Sequence, residues 1–210
     1  MLSMSSLELP LASTPCERAD AARNRQRILA AAGRLFARDG VACTSMDAIA
    51  AEAGVGKGTL FRRFGDRASL ALALLDASSS AFQENFIRGP APLGPGALPC
   101  ERLIAFGHGL LEHVADNGDL ILASERPSIS GGRLHAGPYA AYRTHVMLLI
   151  AEAAPDLDAD YLADVLLAPL TAELVLHQLK ERQMPLERLA GGWEKMVHRL
   201  LNAGVRVDDP

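Results

Sequence analysis

The sequence predicts an all-α protein of about nine helices. Apolar residues recur with the 3.6-residue period of a helix through most of the chain. Alanine and leucine are abundant while aromatic residues make up only 5% of the 210 residues, a balance that favours helices. Proline and glycine clusters punctuate the periodic runs. A hydrophobic share of 49% is ample for a core, and the length fits one large domain or two small ones.

Residues 1–20 lack a basic start and a clean apolar stretch, so no signal peptide is expected; they read as a flexible N-terminal arm. The first helix is predicted over residues 22–38, with Ile28, Leu29, Ala32, Leu35 and Phe36 on one face, and Asp39-Gly40 stops it. Thr44 can cap the next, short helix, with Asp47 three positions on as a variant capping box. Met46, Ile49, Ala50 and Ala53 share its inner face. Gly54 ends it, because glycine enters the left-handed conformation at little steric cost. Val55 can then turn inward, and Gly56 and Gly58 keep the start of the third helix slim. Leu60 and Phe64, four apart, should face the core, which leaves Lys57, Thr59, Phe61, Arg62 and Arg63 on other faces. Residues 21–65 thus read as a three-helix head whose last two helices have the layout of a helix-turn-helix, the motif that sets its second helix in a DNA major groove.

Residues 66–210 read as a helical body. Asp66 can cap a long helix through Leu70, Leu74 and Leu75 to about residue 87. Residues 88–99, RGPAPLGPGALP, form an irregular connection. A helix over 100–115 carries Leu103, Phe106, Leu110 and Val114, and Asn117-Gly118 is expected to break it before a short helix over 119–126. A loop over 127–137 leads to a helix over 138–154. The next runs over about 155–182 with a kink at Pro169, and the last over 185–203. Both are strongly apolar, the former through Leu162, Val165, Leu166, Leu170, Leu174, Leu176 and Leu179, the latter through Leu186, Leu189, Trp193, Met196, Val197, Leu200 and Leu201. Taken alone, these stripes read as ordinary core.

The run ILAAAGRLFARDGVACTSMDAIAAEAGVGKGTLFRRFGDRASL, residues 28–70, resembles the TetR family of bacterial transcriptional regulators. Each piece is common alone; together and in this order they are specific, although they cover about a fifth of the chain. The resemblance implies nine helices, a helix-turn-helix head, and a ligand-binding and dimerisation body. It implies DNA contacts from Thr44, Ser45, Lys57, Gly58, Thr59, Phe61, Arg62 and Arg63. Phe61 departs from the more usual tyrosine, losing a hydroxyl but keeping a ring for a thymine methyl, and Arg63 replaces a frequent histidine. Arg23, Arg25 and Arg27 offer either further phosphate or minor-groove contacts or a solvated basic face.

For the body, the resemblance implies a small-molecule effector pocket, with Phe82, Phe86, Phe106, His113, Leu122, Tyr139, Tyr142, His145 and Met147 as candidates, each with plain core as its alternative. It also implies a homodimer built from the last two helices, with Leu166, Leu170, Leu174, His177, Trp193, Met196, Val197 and Leu200 at the interface. A twofold dimer would present two recognition helices one DNA turn apart, about 34 Å, and would read double-stranded DNA at a near-palindromic operator.

Charge distribution supports a nucleic-acid partner where net charge does not. The whole chain carries -4. Residues 17–67 hold ten Arg/Lys and six Asp/Glu, a balance of +4, and the remainder holds eleven and nineteen, a balance of -8. Cys16, Cys43 and Cys100 are far apart without a CxxC, which points away from disulfides and zinc, and Cys43 reads as a buried structural cysteine, with a redox switch as its alternative. His108 and His113 are five apart, off a common helical face, so neither metal nor cofactor is expected. No run of eighteen apolar residues suggests a membrane span, and a cytoplasmic protein is expected.

Two other classes compete. A helical-bundle small-molecule enzyme would need convergent catalytic groups; the chain has no G-x-S-x-G, H-E-x-x-H, P-loop or G-x-G-x-x-G, and Ser124, Glu125 and Ser128 near His135 are the nearest approach. A ligand-binding dimer without a DNA role would not need Lys57-Gly58-Thr59 or Arg62-Arg63.

Overall fold

The computed structural model describes residues 15–124 and 137–202, and all regular structure among them is helical. The expectations for residues 1–14, for most of the 127–137 loop, and for Glu125, Ser128 and His135 lie outside the described residues. The chain divides into two compact units, the first ending at Ala71 and the second beginning at Leu72.

The first unit holds α1 (Pro15–Asp39), α2 (Met46–Ala53), α3 (Lys57–Phe64) and the first turn of α4 (Arg67–Arg88). Its core holds Ile28, Leu29, Ala32, Leu35 and Phe36 from α1, Ile49, Ala50 and Ala53 from α2, and Leu60 and Phe64 from α3, as predicted, while Met46, expected on the same face of α2, is half-buried. The unit extends past the expected residue 65 because the start of α4 is tied to it. Asp66 accepts the Ser69 N–H at 2.7 Å as the cap of α4, which holds its carboxyl below the ordinary range. Arg67 donates to the carbonyls of Ala42 and Thr44 at 2.7 and 3.1 Å, and Leu70 is fully buried.

The cap of α2 differs from the prediction. Ser45, not Thr44, accepts the Ala48 N–H at 3.1 Å. Thr44 is buried instead, and its hydroxyl sits 2.8 Å from the Gly40 carbonyl and 3.3 Å from that of Leu35. Shifting the cap by one residue places Asp47 at the second helical position, so no capping box forms, and its carboxylate turns to Lys57. Cys43 is exposed rather than buried, on the turn just before Thr44.

The second unit is organised around α5 (Pro99–Ser124), which packs against α6 (Gly137–Ala153), α8 (Ala172–Leu176) and α9 (Leu186–Asn202). The predicted break at Asn117-Gly118 does not occur; α5 runs straight through it. Asn117 stays helical because its amide donates to the His113 carbonyl at 3.0 Å and to Ser78 Oγ at 3.2 Å. Gly118 is there for space: a Cβ would lie 2.8 Å from Leu176 Cδ1. Gly107 admits the Trp193 ring in the same way, and Trp193 Nε1 donates to the Leu103 carbonyl at 3.2 Å.

The single helix expected over 155–182 is divided. α7 (Ala159–Leu167) tightens into a 3-10 turn, Ala168–Leu170, and Thr171 takes an extended backbone before α8, which ends in a π turn, His177–Glu181. Pro169 lies in the 3-10 turn, where its missing N–H and its ring oppose a continuous α-helical ladder. The stretch Ala159–Glu181 has the length and mean hydropathy, 1.4, of a membrane span. Within it the helix breaks at Thr171, and Leu166, Leu167, Leu170, Val175 and Leu176 are buried.

Candidate nucleic-acid interface and body core

The α2–α3 pair is joined by a turn that glycine makes possible. Gly54 adopts φ 63 and ψ 40, and the Val55 N–H reaches the Ala50 carbonyl at 3.0 Å. Gly56 opens α3 with an extended backbone and no side-chain cap. A Cβ at Gly56 or Gly58 would meet nothing within 4 Å, so the backbone at the start of α3 stands clear of the rest of the unit.

Leu60 and Phe64 anchor α3, and its remaining faces look outward. Lys57, Gly58, Arg62 and Arg63 are exposed, Thr59 is half-buried, and the Phe61 ring is 47% exposed despite its size. Seven of the eight predicted contact residues therefore reach the surface at least in part. Thr44 is the exception, because its hydroxyl is engaged inside the fold, and Ser45 takes the exposed place at the head of α2. Lys57 is ion-paired with Asp47 across the turn. Arg34 pairs with Glu52 at 2.9 Å, Arg23 with Asp20, and Arg25 lies over the Phe64 ring at 5.5 Å. Arg27 donates to Asn24 at 2.7 Å.

In the body, the structure brings six of the nine predicted pocket residues into one aromatic cluster. Phe82 and Phe86 of α4, Phe106 and His113 of α5, and Tyr142 and His145 of α6 have ring centroids 4.5–6.0 Å apart. Gly109 makes room for the Phe82 ring. Burial pushes the Tyr142 hydroxyl up to about 12, while Ser79 bonds to it. Burial lowers His113, whose Nδ1 lies 3.3 Å from Ser78 Oγ. Burial lowers His145 to about 4, and the nearby Arg102 guanidinium adds to the effect.

The other three stand apart. Tyr139 donates to Asp164 at 2.6 Å, which, with Arg143 beside it, holds that carboxyl below its ordinary range. Met147 packs half-buried on the edge of the core. Leu122 lines a surface cleft of about 570 Å³ with Leu174, His177 and Lys180, away from the rings. Sequence reasoning missed Arg102. Its Nη2 donates to the Phe86 carbonyl at 3.4 Å, but its Nε is buried without a hydrogen-bond partner, as is His145 Nε2. An arginine three residues after the start of a helix otherwise reads as solvated, so the sequence carries no signal for it.

The expected interface residues also separate. Leu166, Leu170, Trp193 and Val197 are buried in the chain's own core, so they are not available to a partner chain. Leu174, His177 and Met196 are exposed, Leu200 is half-buried, and Tyr161 and Val165 add apolar surface on α7.

Residues 28–74 match the family model for bacterial regulatory proteins of the tetR family. HTH-type transcriptional regulators of Staphylococcus aureus are 42% identical over 69 residues, 33% of this chain, and the match spans 37% of the length of those relatives. Among solved structures, a transcriptional regulator of Saccharomonospora viridis in complex with choline aligns at a TM-score of 0.69 and 20% identity, over 84% of this chain and 96% of that one. The transcriptional regulator FadR of Bacillus subtilis, in complex with stearoyl-CoA, aligns at 0.60 and 15%, over 82% and 96%. At these identities the solved structures share the fold with this chain. Residues 28–74 thus carry a head of the tetR type, with the α3 surface exposed, and the chain as a whole shares the all-helical fold of these solved regulators.

Proposed function

We propose that the protein is a cytoplasmic, homodimeric transcriptional regulator that holds a near-palindromic operator and releases it when a small molecule enters the body. The observation that carries this reading is α3, held by Leu60 and Phe64 while Lys57, Gly58, Thr59, Phe61, Arg62 and Arg63 remain at the surface. Ser45 and the open backbone at Gly56 and Gly58 supply phosphate contacts, and Arg62 and Phe61 supply base-edge contacts. That the Saccharomonospora viridis and Bacillus subtilis proteins carry bound small molecules supports the same use of this body. Release of DNA requires that the effector bind one state of the dimer better than the other. The exposed residues Leu174, His177 and Met196, with Leu200, are the proposed interface.

Gel-shift titration against the DNA upstream of the protein's own gene, at two salt concentrations, tests this reading. A discrete complex that weakens with salt is expected, and Lys57→Ala should reduce the salt slope by about one. A complex no tighter than that with competitor DNA, followed by no enrichment in random-sequence selection, would overturn it.

A further inference from the structure

The aromatic cluster of the body encloses two polar atoms that the fold leaves without partners. Arg102 Nε, on α5, and His145 Nε2, on α6, are both sealed from solvent. They belong to one locality. Arg102 Nη2 donates to the backbone carbonyl of Phe86, and the Phe86 ring lies 4.5 Å from the His145 ring. Phe106 closes the other side at 5.2 Å from His145. An arginine keeps its charge at any physiological pH, and a guanidinium N–H buried without an acceptor is a rare arrangement.

At this spacing the rings pack edge to face on one another, so an apolar group or a cation that displaced one of them would meet the same ring faces and edges. The charge of the cage decides between an anion and a cation. Among the described residues, the buried polar side chains are Thr44, Ser79 and His113, and no buried carboxylate is present to balance a cation. The full charge at this locality is the Arg102 guanidinium, strong enough to help hold His145 neutral.

We propose that the cage between α4, α5 and α6 is an anion-selective site for a small aromatic carboxylate. One carboxylate oxygen accepts from Arg102 Nε. The other accepts from His145 in the tautomer that carries its proton on Nε2, and the ligand ring joins Phe82, Phe86, Phe106 and Tyr142. This rests on the reading of the body as effector-binding and gives the effector a chemical class. Entry requires the rings to part, so occupation and the shape of the body are coupled.

Calorimetric titration of the full chain with benzoate, benzamide and benzyltrimethylammonium tests the site. Benzoate should bind about tenfold or more tightly than its neutral isostere, because a charge-assisted bond replaces a neutral one, and the cation should not bind. Arg102→Gln should abolish the preference for benzoate over benzamide. Should that variant fail to fold, the wild-type comparison of the three probes decides alone. Equal binding of benzoate and benzamide, preference for the cation, or no heat from benzoate to about 10 mM would each overturn the proposal. A gel shift on the same preparation keeps the two readings separable: loss of selective DNA binding without ligand counts against the regulator, whereas the calorimetric result stands or falls on the cage.

Discussion

Two side chains show what a single residue decides. The Thr44 hydroxyl sits among the carbonyls that end α1 and begin the following turn. Thr44→Val keeps the shape and removes the donor, so it should lower the head's unfolding free energy by about 1–2 kcal/mol, measured by chemical denaturation. His145 sets a dependence on acid. An unfolded chain takes up this proton near the ordinary 6.5, while the folded chain resists until about 4. Between those values the unfolded state binds more protons, so stability falls as pH drops through that window. His113 shifts in the same direction. Melting temperatures should decline from pH 7 toward pH 4.5, and His145→Gln should flatten the decline; an unchanged slope would show that the ring is solvated.

At the scale of the element, the sequence was most legible where periodicity and punctuation agree. The inner faces of α1, α2 and α3 follow from the spacing of Ile28, Ile49, Leu60 and Phe64, and the turn follows from Gly54. It was least legible where tertiary contact overrides a local signal. Asn117-Gly118 looks like a stop, yet the stop is cancelled by an amide bond back to His113 and by the Leu176 side chain pressed on the glycine. Thr44 and Ser45 are adjacent and both suit a cap, and only the packing against Gly40 chooses between them. The division of an apolar stripe between core and partner surface, as between Val197 and Met196, depends on which neighbours pack first. Gly118→Ala puts a methyl 2.8 Å from Leu176 and should cost about 1–3 kcal/mol through overpacking. A thermal melt checks this, and Leu176→Ala in the same chain should recover part of the loss.

For the whole molecule, the second unit leaves Tyr161, Val165, Leu174 and Met196 facing outward on α7, α8 and α9. Large apolar side chains on three successive helices suit a partner surface more than water. Leu174→Arg with Met196→Arg should convert the proposed dimer to monomer in sedimentation velocity while leaving far-UV circular dichroism intact. Affinity for a two-half-site operator should fall far more than affinity for non-specific DNA, because only the former requires both heads at once. A double variant that stays dimeric would move the interface elsewhere.

The ion pairs of the head bear on how such a protein would travel. Lys57, Arg34, Arg38 and Arg23 each already face a carboxylate. A phosphate that approaches any of them replaces a partner instead of finding a bare charge, so the gain per contact is smaller than the count of basic residues suggests. Random chromosomal DNA, which offers phosphates and nothing else, would hold the head only briefly. Time spent on wrong sites would be short, and the search would proceed by frequent detachment, with long residence reserved for a sequence that also engages Arg62 and Phe61.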